Sequence, residues 1–327
     1  MAKDISFKGK VCVTGASGFI ASWLIKRLLE SGYHVTGTVR NPGDYKKVAH
    51  LWELEGASER LQLVKADLME MGSFDDAVMG CEGVFHTASP VCEVKSNPDA
   101  EIVDPAVNGT LNVLLSCEKN PALRRVVLTS SSCAVRTRDD IDPAVPLDES
   151  SWGSVELCER LGIWYALGKI LAEKAAWEFA EAHNINLVTV LPSFVVGPML
   201  PHDLCLTVSD VLDLLKGNSE KFSWHGRMGY VHIDDVARCH ILVYEDSTAH
   251  GRYLCSSTVL DTHELAALLA QRYPSLPVST RFKDHYEMPA YAFDTSKLQK
   301  MGFQFIGVEE MFDDCVEFLK RRGYINF

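Results

Sequence analysis

A glycine-bearing segment between an apolar run and a helical pattern constrains the fold of this chain more than any other feature. The segment from Thr14 to Ala21 reads TGASGFIA and directly follows the apolar run Val11–Val13. Apolar residues then recur at helical spacing over 20–30, which predicts a strand, a tight turn and a helix. Gly15 permits the turn, and Gly18 lets backbone N–H groups approach a pyrophosphate at the start of the helix. The alternative is an ordinary strand–turn–helix connection. We predict a dinucleotide-binding loop in which the contacts come from Thr14, Gly15, Ser17, Gly18, Phe19 and Ile20.

Strand and helix patterns continue to alternate along the first part of the chain. The predicted strands cover 11–13, 34–39, 61–64, 83–86, 125–128 and 187–191, and the longer predicted helices cover 20–30, 107–117 and 163–182. This alternation predicts an α/β fold with a doubly wound parallel Rossmann sheet.

The pattern changes after Pro198, where strict alternation ends and turn-forming residues become frequent. A helix is still predicted near 308–320. We therefore expect a smaller C-terminal lobe that binds the substrate. The expected division gives residues 1–192 and about 231–255 to an NADP-binding domain, and about 193–230 and 256–327 to the substrate lobe.

Composition is typical of a soluble globular protein and excludes several partners. The chain has 327 residues, of which 47% are hydrophobic and 23% charged, and its formal net charge is −12. Such an acidic chain is a poor ligand for nucleic acids or anionic membranes. Ten cysteines without a CxxC pair are typical of reduced cytosolic thiols. No signal peptide or apolar run of about 20 residues is visible. We expect a cytoplasmic protein without an integral membrane segment. Weak or peripheral association with pathway enzymes at the endoplasmic reticulum would leave no motif, and the sequence does not define the oligomeric state.

Arg40, at the end of the second predicted strand, indicates which dinucleotide binds. An enzyme that uses NAD usually has an acidic residue there, which binds the ribose 2′-hydroxyl. This chain has Arg40 instead, with Lys46 and Lys47 shortly after it. Guanidinium and ammonium groups suit the 2′-phosphate of NADP, whereas the alternative is a solvated basic surface. The sequence favours NADPH/NADP+ as the cofactor.

A tyrosine and a lysine four residues apart are candidate catalytic groups. Tyr165 and Lys169 lie in a helical pattern, so their side chains share one face. An ammonium group lowers the pKa of a neighbouring phenol from about 10, which lets Tyr165 donate a proton to a carbonyl oxygen as hydride reaches the carbon. A serine from the run 130–132 would polarise that oxygen. The alternative is a chance pair on a helix surface, which the order of the three motifs argues against.

Together these motifs resemble the extended short-chain dehydrogenases/reductases, and among them the plant dihydroflavonol reductase and cinnamoyl-CoA reductase family. The resemblance covers nearly the whole chain, and its segments include VTGASGFIASWL, KADLMEMGSFDDAV, GVFHTASPV, WYALGKILAEKAAW and LPSFVVGP. It implies a Rossmann fold, NADPH as cofactor and the reduction of a carbonyl to an alcohol.

The resemblance also implies roles for individual residues. Ser131, Tyr165 and Lys169 match the catalytic residues of the family. Arg40 and Lys47 match its contacts to the 2′-phosphate, and Tyr165 and Lys169 also contact the cofactor. The other matched cofactor positions lie beside adenine, the ribose or nicotinamide, and they are Asp67, Leu68, Thr87, Ala88, Ser89, Pro192, Ser193 and Val195.

Two departures separate this chain from the best-known members of the family. Arg136 stands where dihydroflavonol reductases have a substrate-binding asparagine. The chain reads IWYALGK where cinnamoyl-CoA reductases typically read NWYCYGK, so Cys158 lacks the cysteine partner found in some of them. A narrower resemblance, carried by LCERLGIWYALGK, HGRMGYVHIDDVA and EEMFDDC, is to reductases of polyketide α-pyrones.

The narrower resemblance implies a small-molecule polyketide substrate. The expected reaction reduces a ketone on the alkyl chain of a tetraketide α-pyrone, in the synthesis of sporopollenin precursors. The alternatives are dihydroflavonol 4-reductase or cinnamoyl-CoA reductase activity, and a non-catalytic NADP-binding regulator. A sugar-nucleotide epimerase would be expected to have an acid in place of Arg40.

Two short polar motifs are interpreted as helix caps. Asp234 and Asp235 could form an acid–base pair, but we interpret them as the cap of a helix over 236–244. Ser73 is expected to cap a short helix in the same way.

The histidines have structural interpretations. His86 is interpreted as a hydrogen-bonded residue at a strand end. No metal site is expected, because ligand spacing is lacking among His202, His225, His232 and His240. Apolar residues that line either the substrate pocket or the core of the lobe are Met199, Leu204, Leu206, Val208, Leu212 and Phe222.

Overall fold

The computed structural model describes residues 7–89, 97–282 and 289–326. Its strands are β1 (Lys10–Val13), β2 (His34–Val39), β3 (Leu61–Lys65), β4 (Gly83–His86), β5 (Arg125–Thr129), β6 (Leu187–Pro192), β7 (Phe194–Val196), β8 (Met228–His232), β9 (Gly251–Cys255) and β10 (Thr258–Leu260). Its helices are α1 (Phe19–Glu30), α2 (Tyr45–Trp52), α3 (Ala57–Arg60), α4 (Asp75–Val78), α5 (Asp104–Glu118), α6 (Cys133–Arg136), α7 (Val155–Leu161), α8 (Trp164–Ala182), α9 (Leu206–Leu215), α10 (Glu220–His225), α11 (Ile233–Glu245), α12 (Thr262–Arg272), α13 (Ser296–Lys300) and α14 (Val308–Arg321). A π-helical turn, Asp99–Val103, leads into α5.

The larger of two sheets has seven strands in the order β3-β2-β1-β4-β5-β6-β9. Every strand pair in it is parallel. Val11, for example, pairs with Val35 on one side and with Gly83 on the other. This arrangement confirms the predicted doubly wound α/β fold.

Alternating side chains of the central strands supply two cores, one on each face of the larger sheet. Val11 and Val13 pack with α1 and α11 on one face. Cys12, between them, packs with α4, α5 and α8 on the other. Because both faces are buried, the strands read as continuous apolar runs rather than as alternating ones.

The smaller sheet has three strands in the order β10-β8-β7, with β7 parallel and β10 antiparallel to β8. It has its own core, in which Phe194 and Tyr230 pack with residues of α9, α12 and α14. The sequence left six apolar residues assignable either to the substrate pocket or to the core of the lobe. Four of them, Met199, Val208, Leu212 and Phe222, lie in this core, and Leu204 packs against it. Leu206 differs, since it is 48% exposed. The exact domain boundaries stay a prediction.

Two predicted caps are wrong. Helix α11 begins at Ile233, and His232 is its cap, with Nδ1 accepting from the backbone N–H of Asp234 at 3.1 Å. The Asp234 carboxylate instead accepts a hydrogen bond from Trp23 Nε1 at 2.9 Å and pairs with the Arg27 guanidinium. The cationic and indole donors of α1 thus outcompete the helix N-terminus for this carboxylate.

Ser73 also bonds elsewhere. Phe74 occupies the cap position of α4 and makes no side-chain cap bond. The Ser73 hydroxyl donates to the Asp67 carbonyl at 2.7 Å and accepts from the Asp67 N–H at 3.1 Å. Ser73 therefore closes the loop that follows β3.

Candidate active site

A cavity of about 690 Å³ opens along the carboxyl ends of the strands of the larger sheet. It is centred where β1 and β4 are neighbours, and the helices that follow these two strands, α1 and α5, pack on opposite faces. In open α/β sheets this switch point is where ligands bind. The structure brings most of the predicted site residues to the cavity wall: Gly15, Ser17, Gly18, Phe19, Ile20, Arg40, Asp67, Leu68, Thr87, Ala88, Ser89, Ser131, Tyr165, Lys169, Pro192, Ser193 and Val195.

The glycine loop has the shape that a pyrophosphate needs. Gly15 has a φ of +68°, and a Cβ atom there would lie 3.1 Å from the Cα atom of Ala88. A Cβ atom at Gly18 would lie 3.2 Å from the Gly15 carbonyl oxygen. Gly18 is the cap of α1 and makes no side-chain cap bond, so the first N–H groups of α1 face the loop without a side chain in front of them. These residues fit a bound dinucleotide.

A Gly15→Ala substitution is expected to weaken cofactor binding. The left-handed backbone at this position costs an L-residue roughly 1–2 kcal/mol, and the added methyl group would push against Ala88. We expect the Kd for NADPH, measured by fluorescence titration, to rise about 10-fold or more. Gly307→Ala is the control, because a Cβ atom there meets nothing within 4 Å. An unchanged Kd in Gly15→Ala would contradict the proposed role of the loop.

Thr14 is buried and does not line the cavity. Its hydroxyl accepts hydrogen bonds from the backbone N–H groups of Thr87 at 3.1 Å and Ala88 at 3.0 Å. It also lies 2.8 Å from His86 Nδ1. Burial, with a smaller contribution from Lys169, lowers the pKa of His86 to about 3, so this imidazole is neutral. Thr14 and His86 hold the loop at the end of β4.

The two basic residues predicted at the adenosine end occupy different places. Arg40 lines the main cavity. Lys47 is 63% exposed, lies 3.9 Å from the Asp44 carboxylate and lines a smaller cavity of about 230 Å³. The two cavities share the wall formed by 17–19. A contact between Lys47 and a 2′-phosphate stays a prediction.

The three candidate catalytic side chains meet at the cavity. Ser131 follows β5, whereas Tyr165 and Lys169 lie in the first turns of α8. The ammonium group of Lys169 donates to the Thr129 carbonyl at 3.2 Å and lies 5.9 Å from the centre of the Tyr165 ring. The Tyr165 side chain is 41% exposed. This arrangement places a phenol and a hydroxyl on one wall, with a cation behind them.

The predicted direction of the Tyr165 pKa is wrong. Desolvation by the surrounding protein raises the pKa of Tyr165, with the Cys133 thiol adding to the effect, although a hydrogen bond from Ser131 lowers it. Burial also lowers the pKa of Lys169. The Lys169 ammonium group, which also bonds to the Thr129 carbonyl, does not outweigh this desolvation. The phenol is therefore protonated at neutral pH, which is the state that a proton donor requires.

Sequence reasoning missed several residues of the cavity. Thr38 Oγ1 accepts from the Gly15 N–H at 3.2 Å and so supports the glycine loop. Leu206 and Thr207 bring the start of α9 to the wall. Glu173, which is buried outside the cavity wall, was also missed, although its spacing from Lys169 repeats that of Tyr165 and Lys169 along α8.

Arg136 and Cys158, the two residues that the family departures single out, lie outside the cavity wall. Arg136 donates from Nη2 to the sulfur of Met228 at 3.3 Å, and its guanidinium lies 5.9 Å from the centre of the Tyr291 ring. Cys158 is buried, and desolvation raises its pKa to about 12, which makes it an inert thiol at neutral pH.

Within the three described ranges, no group of three or more His, Cys, Asp or Glu side chains is arranged to hold a metal ion. In the same part of the chain, no helix has both the length and the apolar character that a membrane span requires.

The sequence matches the profile of the NAD dependent epimerase/dehydratase family over residues 11–255. It is 66% identical to tetraketide alpha-pyrone reductase 1 of Arabidopsis thaliana over 319 residues, which cover 98% of each chain. It is 44% identical to cinnamoyl-CoA reductase CAD2 of Medicago truncatula, with 97% of each chain covered.

Among solved structures, reductases are also similar to this chain. The crystal structure of vestitone reductase from alfalfa (Medicago sativa L.) is similar with a TM-score of 0.83 and 37% identity, over 97% of this chain and 100% of that one. Yeast methylglyoxal/isovaleraldehyde reductase Gre2, complexed with NADPH, is similar with a TM-score of 0.79 and 27% identity, over 97% of this chain and 100% of that one.

Fold, cavity and relatives together define an NAD(P)-dependent oxidoreductase. The chain belongs to the NAD dependent epimerase/dehydratase family. The predicted resemblance to plant dihydroflavonol and cinnamoyl-CoA reductases is confirmed.

Proposed function

We propose that this protein uses NADPH to reduce the ketone on the alkyl chain of a tetraketide α-pyrone to a hydroxyl group. The observation that carries the proposal is the 66% identity to an α-pyrone reductase over 98% of both chains. The identity to a cinnamoyl-CoA reductase is 44%. The proposal includes a place in sporopollenin precursor synthesis and a cytoplasmic location.

The cavity wall supports the choice of NADPH. Arg40 lines the cavity, and no acidic side chain in the described part of the chain pairs with it, so its guanidinium is available for the 2′-phosphate. The glycine loop would hold the pyrophosphate, Asp67 and Leu68 would lie beside adenine, and the segment 87–89 beside the ribose. Pro192, Ser193 and Val195 would face nicotinamide. The relative Gre2, in its NADPH complex, has the same fold.

Bound NADPH would supply the hydride that reaches the carbonyl carbon. The Ser131 hydroxyl would donate a hydrogen bond to the carbonyl oxygen and polarise it. Tyr165 would transfer its phenolic proton to that oxygen, which gives the alcohol and leaves a phenolate. The Lys169 ammonium group would stabilise this phenolate until a proton from solvent restores the phenol.

The substrate is tested by following NADPH oxidation with the purified protein. A synthetic tetraketide α-pyrone is compared with dihydroquercetin and cinnamoyl-CoA at equal concentrations. Turnover of the pyrone with the highest kcat/KM is expected. A higher kcat/KM for dihydroquercetin or cinnamoyl-CoA would be consistent with the proposed mechanism but would show that the proposed substrate is wrong. NADPH binding without turnover of any carbonyl compound would favour a regulatory protein.

Arg40→Ala is expected to reduce the preference for NADPH over NADH. A hydrogen bond to a charged group contributes roughly 1.5–3 kcal/mol, so the KM for NADPH should rise about 10- to 100-fold while the KM for NADH changes little. Arg124→Ala, which removes an exposed arginine that pairs with Glu82, is the matched control. An unchanged ratio of the two KM values in Arg40→Ala would show that the 2′-phosphate binds elsewhere.

A further inference from the structure

Glu173 is a buried carboxylate adjacent to the candidate active site, and no step of the proposed mechanism uses it. It lies in α8 four residues after Lys169, so the two side chains share one face of the helix. Its side chain is 0% exposed. A buried carboxylate is costly unless it is paired and hydrogen-bonded, and its partners therefore show what it holds in place.

The partners of Glu173 come from four different elements. Arg252 of β9 donates to it through Nε at 2.8 Å and through Nη2 at 3.2 Å. The hydroxyl of Thr189, in β6, donates at 2.8 Å, and Trp177 Nε1 of α8 itself donates at 3.4 Å. The hydroxyl of Ser130, directly after β5, donates at 2.7 Å. One carboxylate thus connects α8 with the strands β6 and β9 and with the residue that directly follows β5.

The other end of Arg252 is equally fixed. Its Nη1 donates to the carbonyl oxygens of Glu149 at 2.9 Å and Ser151 at 2.6 Å, and its guanidinium lies 3.7 Å from the centre of the Trp152 ring. The side chain is only 7% exposed. A two-pronged pair whose arginine also donates to two backbone carbonyls has a defined geometry, unlike an exposed ion pair.

Helix α8 binds consecutive residues at the end of β5. Lys169 donates to the Thr129 carbonyl, and Glu173 accepts from the hydroxyl of Ser130. The next residue is Ser131, whose hydroxyl would polarise the substrate carbonyl. The helix that carries Tyr165 is therefore hydrogen-bonded to both residues immediately before Ser131.

We propose that Glu173 is a positioning residue for the reduction, which holds Ser131 in register against Tyr165 and Lys169. This inference rests on the proposed catalytic roles of those three residues. The Glu173 charge has a second consequence. Burial lowers the pKa of Lys169, and the Cys133 thiol and then Glu173 oppose that change. Glu173 therefore favours the ammonium form of Lys169.

Glu173→Gln keeps the shape of the side chain and removes its charge. We expect kcat to fall about 10- to 100-fold, because small displacements of reacting groups have effects of this size, while the Kd for NADPH changes less than about 3-fold. The alkaline decline of kcat should move to lower pH, because the charge that favours the ammonium form of Lys169 is removed. Glu181→Gln, on the exposed side of α8, should match the wild type in all three measurements.

A double variant distinguishes two causes of a lower kcat in Glu173→Gln: the loss of positioning, and the presence of an unpaired Arg252 guanidinium. Glu173→Gln with Arg252→Gln removes both charges. If kcat and the pH profile return to wild-type values, the defect of the single variant came from the unpaired guanidinium, and the proposal is wrong. If both remain altered, the proposal is supported.

Ser130→Ala provides a test that leaves the ion pair intact, and it decides the matter if the Glu173 variants do not fold. We expect kcat to fall at least about 3-fold without a shift of the alkaline decline. An unchanged kcat would overturn the proposal. Tyr165→Phe is assayed alongside as a test of the proposed function. If Tyr165→Phe is active, the proposed catalytic roles are wrong. If Tyr165→Phe is inactive and Glu173→Gln is fully active, only the positioning role of Glu173 is wrong.

Discussion

Tyr165→Phe should lower kcat at least about 10³-fold and leave the affinity for NADPH nearly unchanged. General acid catalysis contributes about 10²- to 10⁴-fold, and the substitution removes only the hydroxyl that would supply the proton. The ring is 41% exposed in the cavity wall, so the loss of its hydroxyl should not disturb the fold. NADPH oxidation with the α-pyrone measures the effect, and fluorescence titration measures the Kd.

Ser131→Ala is the comparison that separates proton transfer from polarisation. It retains the phenol and removes the hydrogen bond to the carbonyl oxygen, so we expect a smaller loss of about 10²-fold. A Tyr165→Phe variant that kept more than about a tenth of the wild-type kcat would show that another group or water donates the proton.

Local spacing was enough to predict the local geometry of the glycine loop and of the pair Tyr165 and Lys169. The turn at Gly15 and the helix face shared by Tyr165 and Lys169 depend on residues that are neighbours in the chain. The apolar strands between them predicted a parallel sheet, and a parallel sheet brings strand ends together at one edge. For this reason Ser131, Thr87 and Pro192 reach the same cavity although they are far apart in the sequence.

The errors concern interactions between residues that are distant in the sequence. Asp234 has a partner 207 residues away, Arg27, so the local expectation of a helix cap could not anticipate it. The Arg252 partner of Glu173 is 79 residues away and becomes visible only when β6 and β9 are known to be neighbours.

The predicted direction of the Tyr165 pKa shift was wrong for a related reason. The spacing of the tyrosine and the lysine predicted a charge near the phenol, but it contained no information about desolvation. The fold removes water from around both groups, and this desolvation has the largest effect on the pKa of each. Sequence motifs therefore predict which groups meet at the cavity more securely than they predict the protonation state of those groups.

Lys169→Met should lower kcat about 10²- to 10³-fold, since it removes the cation that stabilises the phenolate as the proton leaves Tyr165. The substitution keeps an unbranched side chain of similar length in a position that is 8% exposed. It also removes the hydrogen bond to the Thr129 carbonyl, which costs roughly 1 kcal/mol of stability, so the variant should fold.

The pH dependence of the same pair supplies a second readout. In the proposed mechanism, reduction requires protonated Tyr165 and protonated Lys169, so wild-type kcat should fall as rising pH removes either proton. Because desolvation lowers the pKa of Lys169 and raises that of Tyr165, the lysine loses its proton first as pH rises and sets the position of the decline. In Lys169→Met that decline should disappear from this range, and the remaining slow activity should fall only at the higher pH where Tyr165 ionises. If the variant instead keeps the wild-type decline, the group that titrates is not Lys169, and the stabilising charge must be assigned to another side chain.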